Sequence, residues 1–286
     1  MAITYNDLYL EIRRQLRAAD SGDPTLEARE LVAFACGKTK EELLRDSRLY
    51  VTPEVEARVR ALVQRHLDGE PTAYLIGEWE FYGLPLDISR DVLIPRPDTE
   101  VLAGLAIDFV KTQGACRVLD LCAGSGCIGL AVASQCPESR VVLGELSEGA
   151  LRICRQNIRR NGLSGRVVPM QMDALAPPPA QLGEFRCLVS NPPYIPAGDI
   201  PGLDPSVRDY EPRMALDGGA DGLDFYRAVT QKWKSALRLG GSLIFEVGIG
   251  QAPSVEDILA RNGFEGIQTT ADTQGIWRVV EGTVNR

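Results

Sequence analysis

Apolar and polar positions divide the chain into three regimes. In the first, apolar residues recur at helical spacing, with Leu8, Ile12 and Leu16 at four-residue steps. Leu26 to Cys36 and Lys40 to Asp46 read as two further helices. Thr52-Pro53 is a cap followed by proline at the first helical position, and Gly69 is a plausible stop. Between them Val55, Val59, Leu62 and His66 mark one face, with His66 read as a surface or half-buried helix residue. Residues 74–90 then change character. Glu78 to Leu86 reads as two short strands around a turn containing Gly83. Ile94-Pro95-Arg96-Pro97-Asp98-Thr99-Glu100 is a stiff loop leading into a helix that Thr99 could cap.

From Arg117 onward strands and helices alternate. Candidate strands are Arg117–Leu121, Arg140–Leu146, Val167–Met172, Cys187–Ser190 and Ser242–Val247, and candidate helices begin near Gly126, Ser147, Phe225 and Pro253. That alternation predicts a mostly parallel, doubly wound α/β sheet. Gly263–Thr270 and Ile276–Gly282 read as a closing pair, antiparallel at one edge. Pro177-Pro178-Pro179 is a surface turn, and Asp199–Asp224, rich in Gly, Pro and Asp, reads as a mobile loop flanking the site. No internal repeat is present.

Two stretches carry chemistry. Asn191-Pro192-Pro193-Tyr194 follows the run Cys187–Ser190, so it sits just past a strand end, where open α/β sheets bind ligands. Proline lacks a backbone N–H and biases the preceding residue toward an extended backbone. The Asn191 side-chain oxygen adds an acceptor. The result is a stiff cradle of acceptors that suits the planar NH2 of an amide or a nucleobase. The second stretch runs from Val118 to Gly129, strand, glycine-rich turn and helix start. Gly124 and Gly126 let a ligand approach the backbone closely, and helix N–H groups near Gly126 can receive a carboxylate or phosphate. Glu145 follows at the end of the next strand, about 20 residues on, where a carboxylate can hold both hydroxyls of a ribose. Gly124, Gly126 and Gly129 also fit the dinucleotide pattern, which alone is weak. Asp120, just before the turn, would repel a pyrophosphate and attract an ammonium group, which favours S-adenosylmethionine.

These residues resemble class I S-adenosylmethionine-dependent methyltransferases that act on nitrogen. Glu70-Pro71-x-x-Tyr74-Leu75-x-Gly77, Glu80-Phe81-Tyr82-Gly83, Leu93 to Glu100, and Glu211-Pro212-x-x-Ala215-Leu216 with Gly222-Leu223 narrow the likeness to the release-factor glutamine methyltransferases. The resemblance covers nearly the whole chain. It implies a class I methyltransferase fold, a doubly wound, mostly parallel seven-stranded sheet, with a small helical N-terminal domain. The expected boundaries are 1–72 for the helical, substrate-binding domain, 73–98 for hairpin and linker, and 99–286 for the methyltransferase domain. It implies methylation of the glutamine in the Gly-Gly-Gln motif of class I peptide chain release factors, giving N5-methylglutamine. Asn191 and Pro192 would be catalytic, and Asn191 to Tyr194 would bind substrate. Asp120, Cys122, Ala123, Gly124, Ser125, Gly126, Glu145, Asp173, Ala174 and Asn191 would bind the donor. Three positions depart from the family pattern: Cys122 where glycine is frequent, Glu145 for the usual aspartate, and Ala174 where some relatives carry an aromatic. Phe81 is assigned to the core or to packing near the donor, and Arg96 to orienting Glu100 or to the surface.

Composition narrows the alternatives. The 286 residues carry a formal net charge of -8, so a broad nucleic-acid footprint and direct nucleic-acid binding are not expected. A methyltransferase for a ribosomal-protein glutamine or for a nucleobase, and a non-catalytic module that has kept the fold, are the competing readings. Seven cysteines in mostly apolar surroundings read as reduced thiols, and one histidine leaves no zinc-ligand pattern, so no metal is expected. No apolar run approaches the roughly 20 residues of a membrane span, and Met1 to Leu10 lacks a secretory core. A cytoplasmic monomer is the expectation.

Overall fold

The computed structural model describes residues 3–20 and 22–285; Met1 and Ala2, in the polar opening stretch, lie outside them. The chain divides into two compact units. One is made of residues up to Glu78 together with Pro205–Tyr210, and the other of Trp79–Asp204 and Glu211–Arg286.

The first unit is helical: α1 (Tyr5–Ala18), α2 (Pro24–Cys36), α3 (Lys40–Arg45), α4 (Pro53–Leu67) and α5 (Thr72–Ile76). Its caps follow from residue chemistry. Thr4 accepts from the Asp7 N–H, Asp23 from Thr25 and Leu26, and Thr39 with Glu42 closes a reciprocal capping box. Gly37 ends α2 at φ +64°, a conformation that costs a residue with a Cβ. Leu8, Ile12 and Leu16 are fully buried against Leu31, Val32, Val59 and Val63. His66 is half-buried, its Nδ1 3.0 Å from the Glu70 carbonyl. The sequence pattern missed α5 because five residues are too few to show a period.

The second unit opens with a two-stranded sheet, β1 (Glu78–Phe81) and β2 (Leu84–Asp87). It continues through α6 (Thr99–Gln113), β3 (Arg117–Leu121), α7 (Cys127–Gln135), β4 (Arg140–Glu145), α8 (Glu148–Arg160), β5 (Val167–Gln171) and β6 (Phe185–Ser190). After α9 (Pro205–Arg208), part of the first unit, come α10 (Asp224–Lys232), β7 (Leu237–Glu246), α11 (Ala252–Arg261), β8 (Glu265–Ala271) and β9 (Trp277–Val284). The main sheet has seven strands in the order β5-β4-β3-β6-β7-β9-β8. The five strands from β5 to β7 are parallel, and β9 is antiparallel to both β7 and β8. In register, Asp120 lies level with Leu143 on one side and Val189 on the other. Strands buried on both faces read as apolar runs, which is why β3, β4 and β6 were legible. Trp233, Tyr226, Phe185 and Phe245 are the largest side chains in the core around this sheet.

Order reverses at β3, which lies between β4 and β6. Such a switch point opens a crevice beyond the carboxyl ends of the strands. Where an irregular mobile loop was expected over 199–224, the chain folds into α9 and two 3-10 turns, Ile200–Gly202 and Arg213–Ala215. Backbone bonds from Ile195 N to Leu216 O and from Ala197 N to Gly219 O tie parts of this stretch to the segment after β6.

Candidate active site

An open cavity of about 970 Å³, counting its mouth, lies where that crevice is expected, a size that suits a small organic molecule. Its walls come from the turn after β3 (Cys122, Ala123, Gly124, Ser125), the end of β4 (Glu145), the segment after β5 (Asp173, Ala174) and the segment after β6 (Asn191, Pro193). Nine of the predicted site residues thus meet in one place. Asp120, Gly126, Pro192 and Tyr194 do not line it.

The turn has a definite shape. Cys122, Gly124 and Gly126 all have positive φ, at +64°, +56° and +83°. A Cβ on Gly126 would come within 2.8 Å of Leu143 Cδ1, and one on Gly129 within 2.3 Å of Leu143 Cδ2. These two glycines let α7 sit close to the sheet. Gly124 differs, because a Cβ there would meet nothing within 4 Å. Its backbone faces open space that a ligand can fill. Cys122 holds its positive φ despite its side chain, a strained conformation that glycine would adopt without cost.

Glu145 is tied into the turn. Its Oε2 accepts from Gly124 N at 2.9 Å and its Oε1 from Ser147 N at 2.8 Å. Each carboxylate oxygen keeps a lone pair for a further donor, so the side chain is anchored and still able to bind hydroxyls. Its extra methylene relative to aspartate is accommodated by these two bonds.

Asp120 lies deeper than the cavity wall. It is fully buried beneath the turn, with Oδ2 accepting from Gly129 N at 2.8 Å and Oδ1 bonded to no described residue. Burial, with the Glu145 charge adding to it, pushes its carboxyl up to about 7. It holds the helix start from beneath the turn and is not itself part of the cavity wall.

At the other end of the cavity, the Asn191 Nδ2 donates toward Thr99 Oγ1 at 3.4 Å. No donor among the described residues bonds Asn191 Oδ1 or the Pro192 carbonyl. Both acceptors are thus unbonded, and of these two residues Asn191 lines the cavity. The Tyr194 ring packs against the sheet core instead of into the cavity, and burial pushes its hydroxyl up to about 12. Gln251 braces this segment, its Nε2 donating to the Tyr194 carbonyl at 2.8 Å and its Oε1 accepting from Gly248 N at 3.0 Å.

Two further expectations change, for Thr99 and Arg96, and for Phe81 one of its two expected roles holds. Thr99 does not cap α6; Asp98 holds the cap position without a side-chain bond, and Thr99 is buried at the cavity wall. Arg96 does not orient Glu100, whose Oε1 instead accepts from Tyr82 N. Arg96 lines the cavity and pairs with the buried Glu211 at 2.6 Å, joining the Ile94–Glu100 loop to the Glu211-Pro212 turn. Phe81 is buried in the core and does not line the cavity. Sequence reasoning missed Glu246, Gln251 and the Arg96–Glu211 pair, because each contact joins residues far apart in the chain.

Burial likewise pushes Glu246 up to about 7. Both Asp120 and Glu246 bind a proton more tightly folded than unfolded. Their contribution to stability is full below about pH 4 and is lost as pH rises through about 7. Denaturant midpoints of the ligand-free protein should fall between about pH 5 and about pH 8, and fall less in Asp120→Asn. An equal slope in that variant would contradict the assignment.

Among the described residues no cluster of His, Cys, Asp and Glu is arranged to hold a metal ion, and no helix is long and apolar enough to cross a membrane. All seven cysteines are unpaired thiols.

Residues 7–77 match the family model described as PrmC N-terminal domain, and residues 103–200 match that described as Methyltransferase small domain. A release factor glutamine methyltransferase of Geobacter sulfurreducens is 42% identical over 261 residues, covering 91% of this chain and 89% of its own. Another, of Thermodesulfovibrio yellowstonii, is 35% identical over 256 residues, covering 89% of this chain and 90% of its own. A ribosomal protein L11 methylase structure from Lactobacillus delbrueckii subsp. bulgaricus superposes with a TM-score of 0.51 at 20% identity, over 70% of this chain and 84% of that one, a likeness of fold.

Proposed function

We propose a residue-level mechanism for this chain, which belongs to the release factor glutamine methyltransferase family. Membership makes it a protein-(glutamine-N5) methyltransferase acting on a release factor. The finer reading is that the acceptor is the glutamine of a Gly-Gly-Gln motif, the donor is S-adenosylmethionine and the product is N5-methylglutamine. One observation carries it: a single cavity is bounded by the open backbone at Gly124, the anchored Glu145 and the outward acceptor of Asn191.

These residues fit the donor. Glu145 would receive the ribose hydroxyls, Gly124 and its neighbours in the turn would lie against the amino-acid end, and Asp173 and Ala174 would lie near the adenine. Ala174 leaves space where a ring would stand, and Phe225 and Leu175, also in the wall, offer apolar surface there. The donor supplies an electrophilic methyl group on a sulfonium.

The chain's own task is placement, because an amide nitrogen is a poor nucleophile. Asn191 Oδ1 and the Pro192 carbonyl would each accept one hydrogen of the glutamine NH2, aiming the nitrogen for in-line attack. The N–C bond forms as the C–S bond breaks, and the electron pair of that bond goes to sulfur. Positive charge grows on nitrogen, and the same two acceptors stabilise it. The positively charged N-methyl amide formed, still carrying both hydrogens on nitrogen, is acidic enough to lose one proton to water, so no dedicated base is required.

Incubation of the full chain with labelled S-adenosylmethionine and a purified release factor tests this. The label should enter the release factor, and should not enter a variant with Gln→Ala in its Gly-Gly-Gln motif. Equal labelling of both would place the methyl group elsewhere and refute the acceptor assignment.

A further inference from the structure

Glu246 lies at the end of β7, and the site described so far leaves it without a task. Ser190 and Phe245 are paired across β6 and β7, so the next residues, Asn191 and Glu246, stand level at the carboxyl edge of the sheet. Glu246 is 3% exposed, and its Oε2 has no partner among the described residues. Arg278, the cation that acts on it, is already committed to Asp272 at 3.0 Å and Asp98 at 3.1 Å. The Thr99 and Asn191 side chains lie beside the Glu246 carboxyl and favour its ionised form against the burial. A buried carboxyl without an ion pair of its own is costly, so its partners define its role.

The Asn191 amide can present either end to the cavity. Only the oxygen end can receive a substrate NH2; the NH2 end would oppose it. We propose that Glu246, acting with Thr99, is a positioning residue that holds Asn191 Nδ2 inward and so turns Oδ1 toward the methyl acceptor. In that arrangement one Nδ2 hydrogen goes to Thr99 Oγ1, as at 3.4 Å here, and the other Nδ2 hydrogen and the Thr99 hydroxyl hydrogen would go to the Glu246 carboxylate. An ionised carboxylate only accepts, so it enforces one orientation of the amide. A protonated Glu246, or a glutamine in its place, can donate, and the amide then loses its preference.

The inference rests on the proposed role of Asn191. The groups facing Glu246 are Asp98 and Thr99 at the start of α6, Asn191 and Tyr194 after β6, Arg278 on β9, Tyr226 on α10 and Cys127 at the start of α7. Tyr194, Tyr226 and Cys127 all titrate far above neutrality, pushed up by burial. Raised by burial, Glu246 ionises near 7, so its hold on Asn191 is gained as pH rises through that value.

The test uses the full chain and reads two quantities. In the first, the side-chain amide signal of Asn191 is followed by nitrogen-15 NMR across pH, with the signal identified by its loss in Asn191→Ala. It should titrate near pH 7 in the unaltered protein and not in Glu246→Gln; this readout needs no methyl acceptor. In the second, Glu246→Gln and Thr99→Val should each lower kcat roughly 10- to 100-fold at unchanged donor affinity. The rise of kcat through neutrality should disappear in Glu246→Gln. Thr99→Ser, which keeps the hydroxyl, should recover most of what Thr99→Val loses. An Asn191 signal that ignores Glu246→Gln, or unchanged kcat in both variants, would overturn the proposal. So would loss of folding or of donor binding in both variants, which would make Glu246 part of the framework. Failure of the unaltered chain to methylate a release factor, with the Asn191 titration intact, would instead count against the acceptor reading alone.

Discussion

Replacing Asn191 with alanine is expected to lower the rate of methyl transfer by roughly 10²–10³-fold, by analogy with removal of one preorganised acceptor or donor at a reacting group. The physical case is local. Asn191 Oδ1 carries no bond to a described residue, while its Nδ2 is held by Thr99, so the oxygen is spent on nothing else. In the alanine variant the substrate NH2 keeps only the Pro192 carbonyl. A single acceptor leaves the nitrogen free to swing away from the line of attack and removes half the stabilisation of the charge that develops on it. Donor affinity should stay close to that of the unaltered chain, because Glu145 and the turn after β3 are untouched. Single-turnover rates beside calorimetric donor binding separate the two effects. A variant with normal turnover would refute the role of Asn191.

Glu145→Ala should do the reverse, weakening donor binding roughly 10²-fold, as expected for two hydroxyl bonds to a charged acceptor. The loss has a second source. Glu145 also receives the N–H groups of Gly124 and Ser147, and the variant releases both. Glu145→Gln separates these sources, since an amide oxygen can keep one backbone bond while the charge is lost. Turnover at saturating donor should fall far less than affinity. Unchanged affinity in Glu145→Ala would show that the donor does not lie on this carboxylate.

How much of this was legible in the sequence depends on how each feature is encoded. The parallel strands β3, β4 and β6 were legible as apolar runs because they are buried on both faces. β7 was read too short: it begins at Leu237 and passes through Gly240, at φ +70°, and Gly241, a pair that reads as a turn but here carries the strand past Arg186. The glycine turn, Glu145 and Asn191 could be placed together because local backbone pattern sets them all at strand ends, where they line one cavity. Asp120 was placed correctly on its strand, but its burial beneath the turn was not legible. The alternation of a strand says which face a residue takes, and not that the turn above will cover it. The Arg96–Glu211 pair, the Gln251 brace and the Thr99–Glu246 contact join residues that are remote in the chain, so no period or spacing announces them. Glu246 in particular reads as an ordinary strand-end acid until β6 and β7 are paired and Asn191 is seen beside it.

Tandem mass spectrometry of a release factor after reaction with the full chain and S-adenosylmethionine tests the central claim most directly. One added methyl group on the side-chain nitrogen of the Gly-Gly-Gln glutamine is the predicted result. A methyl group on any other residue, or an unmodified release factor beside a donor-saturated enzyme, would contradict it.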